Sequence, residues 1–258
     1  MLQLSLLLVA AVAGLVVLRA GSFDVMGLVA LVAFGVVVLV QFLLGQYQPE
    51  RTWHDGRAAA ESVKHLAWRY AMKAEPFVGN GAADERFIKR VNDTLAEVKH
   101  LFIGAAGDDQ ITDWMREVRA SGLLERKAIY VKERIEDQRR WYSAHAQDNR
   151  RNGRYWRLTL YAAGALGALG GLLKLITVVD FDVLGIAATL VTAIAAWMAT
   201  KQFDALAVSY AVAAHELASA HSLASASASD DEKWSTFVND TEDAISREHR
   251  LWIASRTG

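Results

Sequence analysis

Residues 158–200 read LTLYAAGALGALGGLLKLITVVDFDVLGIAATLVTAIAAWMAT, and this stretch decides the fold class. Its first block carries no charge until Lys174 and stays apolar to Val179. A second apolar block fills 183–200 after a short turn holding Asp180 and Asp182. A helix needs about 20 residues to cross a hydrocarbon core of roughly 30 Å. Each block is long enough, and Lys174 lies near enough to a helix end to reach the headgroups. The stretch is therefore expected to form two membrane-spanning helices joined as a hairpin.

The beginning of the chain repeats the pattern. Residues 2–18 run 17 positions without a charge and residues 25–45 run 21. Only Arg19, Ala20, Gly21, Ser22, Phe23 and Asp24 separate them, a polar, Gly-containing link of the length that joins antiparallel helices. The first block lacks a basic leader and a small-residue cleavage site, so a span is favoured over a cleaved signal. The whole chain of 258 residues is 53% apolar with 22% charged residues, yet its mean hydropathy is positive at +0.14. Both conditions are met only when apolar residues gather in long uncharged blocks.

The expected organisation is thus an all-α polytopic membrane protein with four transmembrane helices in two hairpins and a cytoplasmic helical bundle. Residues 1–45 form the first hairpin, 46–157 a cytoplasmic helical region, 158–200 the second hairpin and 201–258 a cytoplasmic helical tail. Orientation follows from charge. Residues 46–157 hold 21 Lys and Arg, and basic residues are retained on the inner side, which places both termini on the cytoplasmic side of the membrane. Trp53, Tyr155, Trp156 and Trp197 fall where interfacial aromatics belong, and Arg150, Arg151, Arg154 and Arg157 suit anionic headgroups. The lipid bilayer is the first partner.

Outside the apolar blocks only Pro49 and Pro76 interrupt the sequence, and no segment alternates as a half-buried strand would. Helices are expected from Trp53 to Phe77 between those prolines and from Asp84 to Ile103, where Phe87, Val91, Leu95, Val98 and Phe102 make one apolar stripe. Residues 104–109 break the pattern. Thr112 then starts a short helix ending near Ser121 and Gly122, and a run from Leu123 to Asn152 is able to continue into the third span as one helix. In the tail, residues 225–231 offer an N-cap, after which Trp234, Val238, Thr241, Ile245, Glu248 and Trp252 share a face.

Chemical motifs are sparse. The chain has no cysteine, which excludes disulfides, thiolate nucleophiles and thiolate-bound metals. Seven scattered histidines make no ligand pair on one helix, and the glycines at 79 and 81 lack the strand and the Lys-Ser/Thr of a phosphate loop. No catalytic residues, cofactor or metal are assigned, and the chain is read as no enzyme. A net charge of −1 leaves no footprint for nucleic acid. Acidic residues, arginine and histidine are missing deep in the apolar blocks, which argues against ion-coupled transport.

Two constellations remain. Ala163, Gly164, Gly167, Gly170 and Gly171 supply small residues at spacings that let membrane helices approach closely, either within one chain or between copies of a homo-oligomer. Tyr130, Arg134, Gln138, Trp141, Tyr142 and His145 recur every three or four residues before the third span. That face is either an amphipathic bundle surface, with Arg134 paired to a carboxylate such as Glu61, or an element that couples a cytoplasmic binding event to the membrane.

At these residues the sequence resembles the SLATT families, the SMODS and SLOG-associating two-transmembrane effectors, in tandem form with two membrane hairpins. The resemblance is carried by Tyr130, Arg134, Gln138, Trp141, Tyr142 and Ala146, by Arg57-Ala-Ala-Ala-Glu61 continuing through Trp68-Arg69-Tyr70, and by the tail from Trp234 to Trp252 with Glu248. His145 stands where the resemblance leads one to expect lysine. What it implies is a bacterial antiphage or conflict-system effector that oligomerises and perforates the inner membrane. A nucleotide-signal sensor or synthase is the implied partner. A non-conducting scaffold that recruits a soluble protein through its cytoplasmic helices is the alternative.

Overall fold

The computed structural model describes residues 2–15, 18–20, 23–47, 49–79, 81–98, 109–176, 183–224 and 230–257; the side chains of residues 1–4, 8, 11, 15, 19–20, 23, 44–51, 54 and 247–257 lie outside that description. Ten α-helices follow one another among the described residues: α1 Leu2–Leu15, α2 Val25–Tyr47, α3 Pro49–Ala71, α4 Ala83–Glu97, α5 Asp113–Ala120, α6 Leu123–Tyr130, α7 Asp137–Leu175, α8 Val183–Lys201, α9 Phe203–Ala224 and α10 Asp231–Thr257. A π-helical turn, Val131–Glu136, joins α6 to α7 without a break. The all-helical expectation holds apart from one detail. Strands β1 (Arg19–Ala20) and β2 (Phe23–Asp24) form a two-residue antiparallel ladder, Arg19 opposite Asp24 and Ala20 opposite Phe23. Asp24 then caps α2, its Oδ1 accepting from Gly27 N at 3.2 Å.

Three helical stretches are long and apolar enough to cross a membrane: Val25–Leu43, Leu123–Leu175 and Val183–Ala224. Within the second of them the uncharged sequence is residues 158–173. Their apolar side chains largely face outward, with Leu31 68% exposed and Leu166 65% exposed; in a water-soluble protein such surface would be buried. Helix α1 has 14 residues, a rise of about 21 Å, shorter than the other three. It packs against α2 and α8.

The chain divides into two compact units, one comprising residues 1–48 and 147–207, the other 49–146 and 208–258. In the first, Gly167 and Gly170 let α7 meet α8. A Cβ on Gly167 would stand closer than 3.0 Å to the Cβ of Ala187, and one on Gly170 would stand 2.5 Å from the Cβ of Val183. Gly171 faces Leu184 at ordinary contact distance, whereas Gly164 has open space beside it. Ala163 is buried. Gly153 performs a similar service nearer the polar end, where a Cβ would meet Phe203 Cβ at 3.2 Å.

In the second unit two apolar clusters share helix α3. Tyr70, Phe77, Phe87, Val91, Ile111 and Met115 form one. The other gathers Met72, Val118, Tyr130, Ile135, Tyr142, Leu217, Trp234 and Val238. The helix expected over Trp53–Phe77 begins at Pro49, since proline suits a first helical position, and ends earlier, at Ala71. There Lys73 takes φ 55°, and buried Arg119 donates to the carbonyls of Tyr70 (2.6 Å), Phe77 (2.9 Å) and Gly79. Its guanidinium also lies 4.6 Å from the Tyr70 ring centroid. These bonds satisfy backbone acceptors that a longer helix would have paired internally. Helix α5 starts as its sequence indicates, with Thr112 accepting from Met115 N at 3.3 Å. Asp230 caps α10, accepting from Lys233 N at 2.7 Å. The breaks at residues 101–108, 177–182 and 225–229 fall outside the described residues, as do the side chains of Glu248 and Trp252.

Candidate functional site

The face of α10 that carries Trp234, Val238, Thr241 and Ile245 is buried as its periodicity requires. Residue 242, one step from Thr241 and four from Val238, is drawn into the same face, and it is a glutamate with no exposed surface. A buried carboxylate must be paired and hydrogen-bonded. Glu242 is both. Arg134 Nε donates to its Oε1 at 2.9 Å and Arg134 Nη2 to its Oε2 at 2.8 Å, the two-pronged geometry that makes guanidinium–carboxylate pairs strong. Tyr130 OH donates to Oε1 at 2.8 Å. His65 Nδ1 makes a short bond to Oε2 and lies 3.2 Å from Arg134 Nη2.

Four elements converge here. Helix α3 brings His65, the α6 end brings Tyr130, the π-helical turn brings Arg134, and α10 brings Glu242. The π-helical turn shifts the register by one residue, so Arg134 and Ile135 are both buried. Aromatic rings close the space. Trp68 and Trp234 pack edge-on to Tyr130, their centroids 5.7 Å and 5.6 Å away. Water exclusion by these rings lowers the local dielectric and strengthens each polar contact.

The electrostatics follow. Burial alone would push the Glu242 carboxyl up, but the Arg134 charge and the bonds from His65 and Arg134 outweigh it and hold the group at about 2, from an ordinary 4.5. Burial and the neighbouring carboxylate raise Tyr130 well above its ordinary value. Burial disfavours a charged Arg134, but Glu242 more than offsets this and raises it. Tyr70 is pushed up to about 12 by burial and by its 2.6 Å hydrogen bond to Asp84.

A carboxyl depressed on folding stabilises the fold fully above its unfolded value, and the contribution disappears as pH falls from about 4.5 towards 2. Its size is on the order of 3 kcal/mol. The melting temperature of the full chain is expected to fall steeply over that window. The steepness should be reduced in Glu242→Leu/Arg134→Met, which lacks the depressed carboxyl; an identical pH profile in parent and double variant would contradict the assignment.

The candidate face before the third span is brought together in part. Tyr130, Arg134 and Tyr142 are buried and Gln138 is half-buried, while Trp141 is at the surface. There His145 stacks on it at 3.8 Å, and Tyr210 meets it edge-on. Arg134 does not pair with Glu61. Glu61 adds to the field that keeps Arg134 charged, but Glu242, reached from the far end of the chain, takes both prongs of the guanidinium. Elsewhere on α3, Arg57 lies 5.3 Å from the Trp53 ring, Trp68 packs edge-on to Trp114, and Arg69 pairs with Asp243 at 2.6 Å. Among the residues expected at the membrane interface, Trp156 packs against Trp197, Lys201 lies 4.7 Å from the Trp197 ring, Arg157 pairs with Asp204 and Arg151 with Asp148. Arg150, Arg154 and Tyr155 are exposed. No group of three or more metal-ligating side chains exists among the described residues.

His65, Glu242 and Arg119 were outside the sequence-derived site. A signal existed for Glu242 in its register, four residues after Val238, which turns it into the apolar stripe where a carboxylate demands a buried cation. Arg119 had none, since backbone carbonyls leave no mark in a sequence.

This combination of apolar spans with a polar helical unit closed around one ion cluster defines a membrane protein with a separate helical module. Comparison with family models is specific: residues 1–127 match SLATT_3, SMODS and SLOG-associating 2TM effector domain 3, and residues 130–252 match SLATT_1, SMODS and SLOG-associating 2TM effector domain 1. The chain belongs to the SLATT family, as two SLATT domains in tandem. No curated protein and no solved structure matches it. The second match begins at Tyr130, so His65 comes from one SLATT domain and Tyr130, Arg134 and Glu242 from the other. The ion cluster thus joins residues of both matched domains.

Proposed function

We propose that the protein is a non-catalytic effector of a bacterial antiphage or conflict system, seated in the inner membrane as two hairpins with its polar helices and both termini in the cytoplasm. A signal received by those helices, from a nucleotide-signal sensor or synthase, drives assembly of several copies and permeabilises the membrane. The observation that carries this reading is the joining of two SLATT effector domains to helices whose apolar side chains face outward. The excess of Lys and Arg in residues 46–157 supports the orientation.

Helix α7 supports the coupling. Its N-terminal end continues directly from the π-helical turn that carries Arg134, and its C-terminal end is an apolar span. A rearrangement of the Glu242 cluster would act on the helix that leads into the membrane, the kind of two-state element such switches use. Thr159, Thr189, Thr192 and Thr200 bond their own helix carbonyls four residues back, so the described spans offer few free polar groups. Any pore they line is weakly polar and gated by dewetting.

The test is leakage of a small dye from liposomes carrying the full chain, with membrane potential followed in cells that express it. The expected result is leakage and depolarisation. Intact potential together with sealed liposomes, despite capture of a soluble partner, would replace the effector by a scaffold.

A further inference from the structure

In the second unit α3, α4 and α10 enclose an open cavity of about 620 Å³, within the range of small-molecule sites. Its chemistry is uneven. Arg86, Lys89 and Arg90 project from the first half of α4, and Arg69 comes from α3. Residues 86, 89 and 90 share one helical face by their spacing. Asp93 and Glu97 follow on that face one and two turns later, so the cavity has a basic end and an acidic end. Asp243 lies across from Arg69 and neutralises it through Nη2.

The basic end is under-neutralised. Lys89 and Arg90 are exposed and make no ion pair among the described residues, although Lys89 and Asp93 have the spacing for one. Arg69 and Arg86 each keep a buried Nε without a hydrogen-bond partner, and Arg86 spends one Nη only on a long 3.4 Å bond to the Val78 carbonyl. Both Nε atoms are shut off from solvent, so it is the exposed Lys89 and Arg90 that a ligand in the cavity would meet first. With Asp243 satisfied by Arg69, the three cations Arg86, Lys89 and Arg90 stand against Asp93 and Glu97, which leaves one net positive charge, concentrated at the basic end. Guanidinium groups in number match the several oxygens of a phosphoryl group.

We propose that this cavity is a binding site for a phosphorylated ligand, held by Arg69, Arg86, Lys89 and Arg90. The proposal rests on the reading that the polar helices receive a signal, and it names the chemistry of that signal. His65 lines the same cavity and bonds Glu242. Occupancy therefore changes the surroundings of the ion cluster directly, and it competes with Asp243 for Arg69.

The experiment uses the full chain in nanodiscs of phosphatidylcholine, titrated with inorganic pyrophosphate and, as a control dianion, succinate, with tryptophan fluorescence as readout. Saturable binding of pyrophosphate but not succinate is expected. Lys89→Ala/Arg90→Ala should weaken it about tenfold or more, with the melting temperature unchanged because both side chains are exposed. A parallel arm replaces a fraction of the lipid by phosphatidic acid. Binding that needs this lipid and depends on Lys89 and Arg90 identifies a headgroup as the source of the phosphoryl; binding of pyrophosphate in its absence identifies a soluble one. No saturation in either arm, equal binding of succinate, or full binding by the double variant overturns the site. Binding without dye leakage leaves the site and removes the effector reading. Leakage without binding does the reverse.

Discussion

Glu242→Ala is expected to cost the second unit about 3–5 kcal/mol, enough to unfold it or leave it molten at ambient temperature. The loss would come from Arg134 more than from the missing carboxylate. Arg134 is 1% exposed and already has one unpaired Nη1; without Glu242 its charge has no carboxylate in contact, only the field of Glu61, in a site closed by Trp68, Tyr130 and Trp234. Glu242→Gln keeps the shape and two acceptor or donor positions but not the charge, and should fall between alanine and the parent. The decisive variant is Glu242→Leu/Arg134→Met. Removing both charges together removes both desolvation penalties, and buried pairs replaced by apolar residues of similar volume are often as stable as the original. Thermal melts of the four proteins in one detergent should therefore place the double variant well above Glu242→Ala, though below the parent because the Tyr130 hydroxyl and His65 lose their acceptor. If the double variant is as damaged as Glu242→Ala, the cluster contributes through geometry that leucine and methionine cannot supply, and the charge-burial account fails.

That cluster shows where sequence reading stops. The stripe on α10 was legible because Trp234, Val238, Thr241 and Ile245 repeat with helical spacing, and their burial depends only on that spacing. The pairing of Arg134 was not legible. Glu61 and Glu242 are both carboxylates on amphipathic helices, and choosing between them requires knowing which helices meet across more than a hundred residues of chain. The early end of α3 was hidden for a related reason, since Arg119 stabilises the turn through main-chain carbonyls that any residues would present. Three of the four expected spans were legible from length and apolar composition, while α1 is shorter among the described residues; the register shift at Val131–Glu136 has no compositional signature.

Gly167→Leu and Gly170→Leu are each expected to cost the first unit about 3 kcal/mol, because neither helix has room to give. A methyl alone is already too much: on Gly167 it would press into Ala187 Cβ, and on Gly170 it would stand 2.5 Å from Val183 Cβ. The glycine-rich face of α7 at these two positions thus packs inside one chain, where membrane helices rely on close backbone approach for their cohesion. Gly164 differs, with nothing within 4 Å. Gly164→Leu should leave the stability of the single chain within about 0.5 kcal/mol, so any change it causes in cross-linking between copies reports contact between subunits. The internal packing has its own rescue. In Gly167→Ala/Ala187→Gly the methyl group passes from one helix to the other, and the nearest remaining atom to the new Cβ is Ala187 Cα at 3.9 Å. Gly167→Ala alone should lower the melting temperature in detergent, and the exchange should restore it, leaving only the few tenths to about 1 kcal/mol that a new helical glycine costs. A single variant as stable as the parent, or a double variant no better than the single, would mean that α7 and α8 do not meet at this pair.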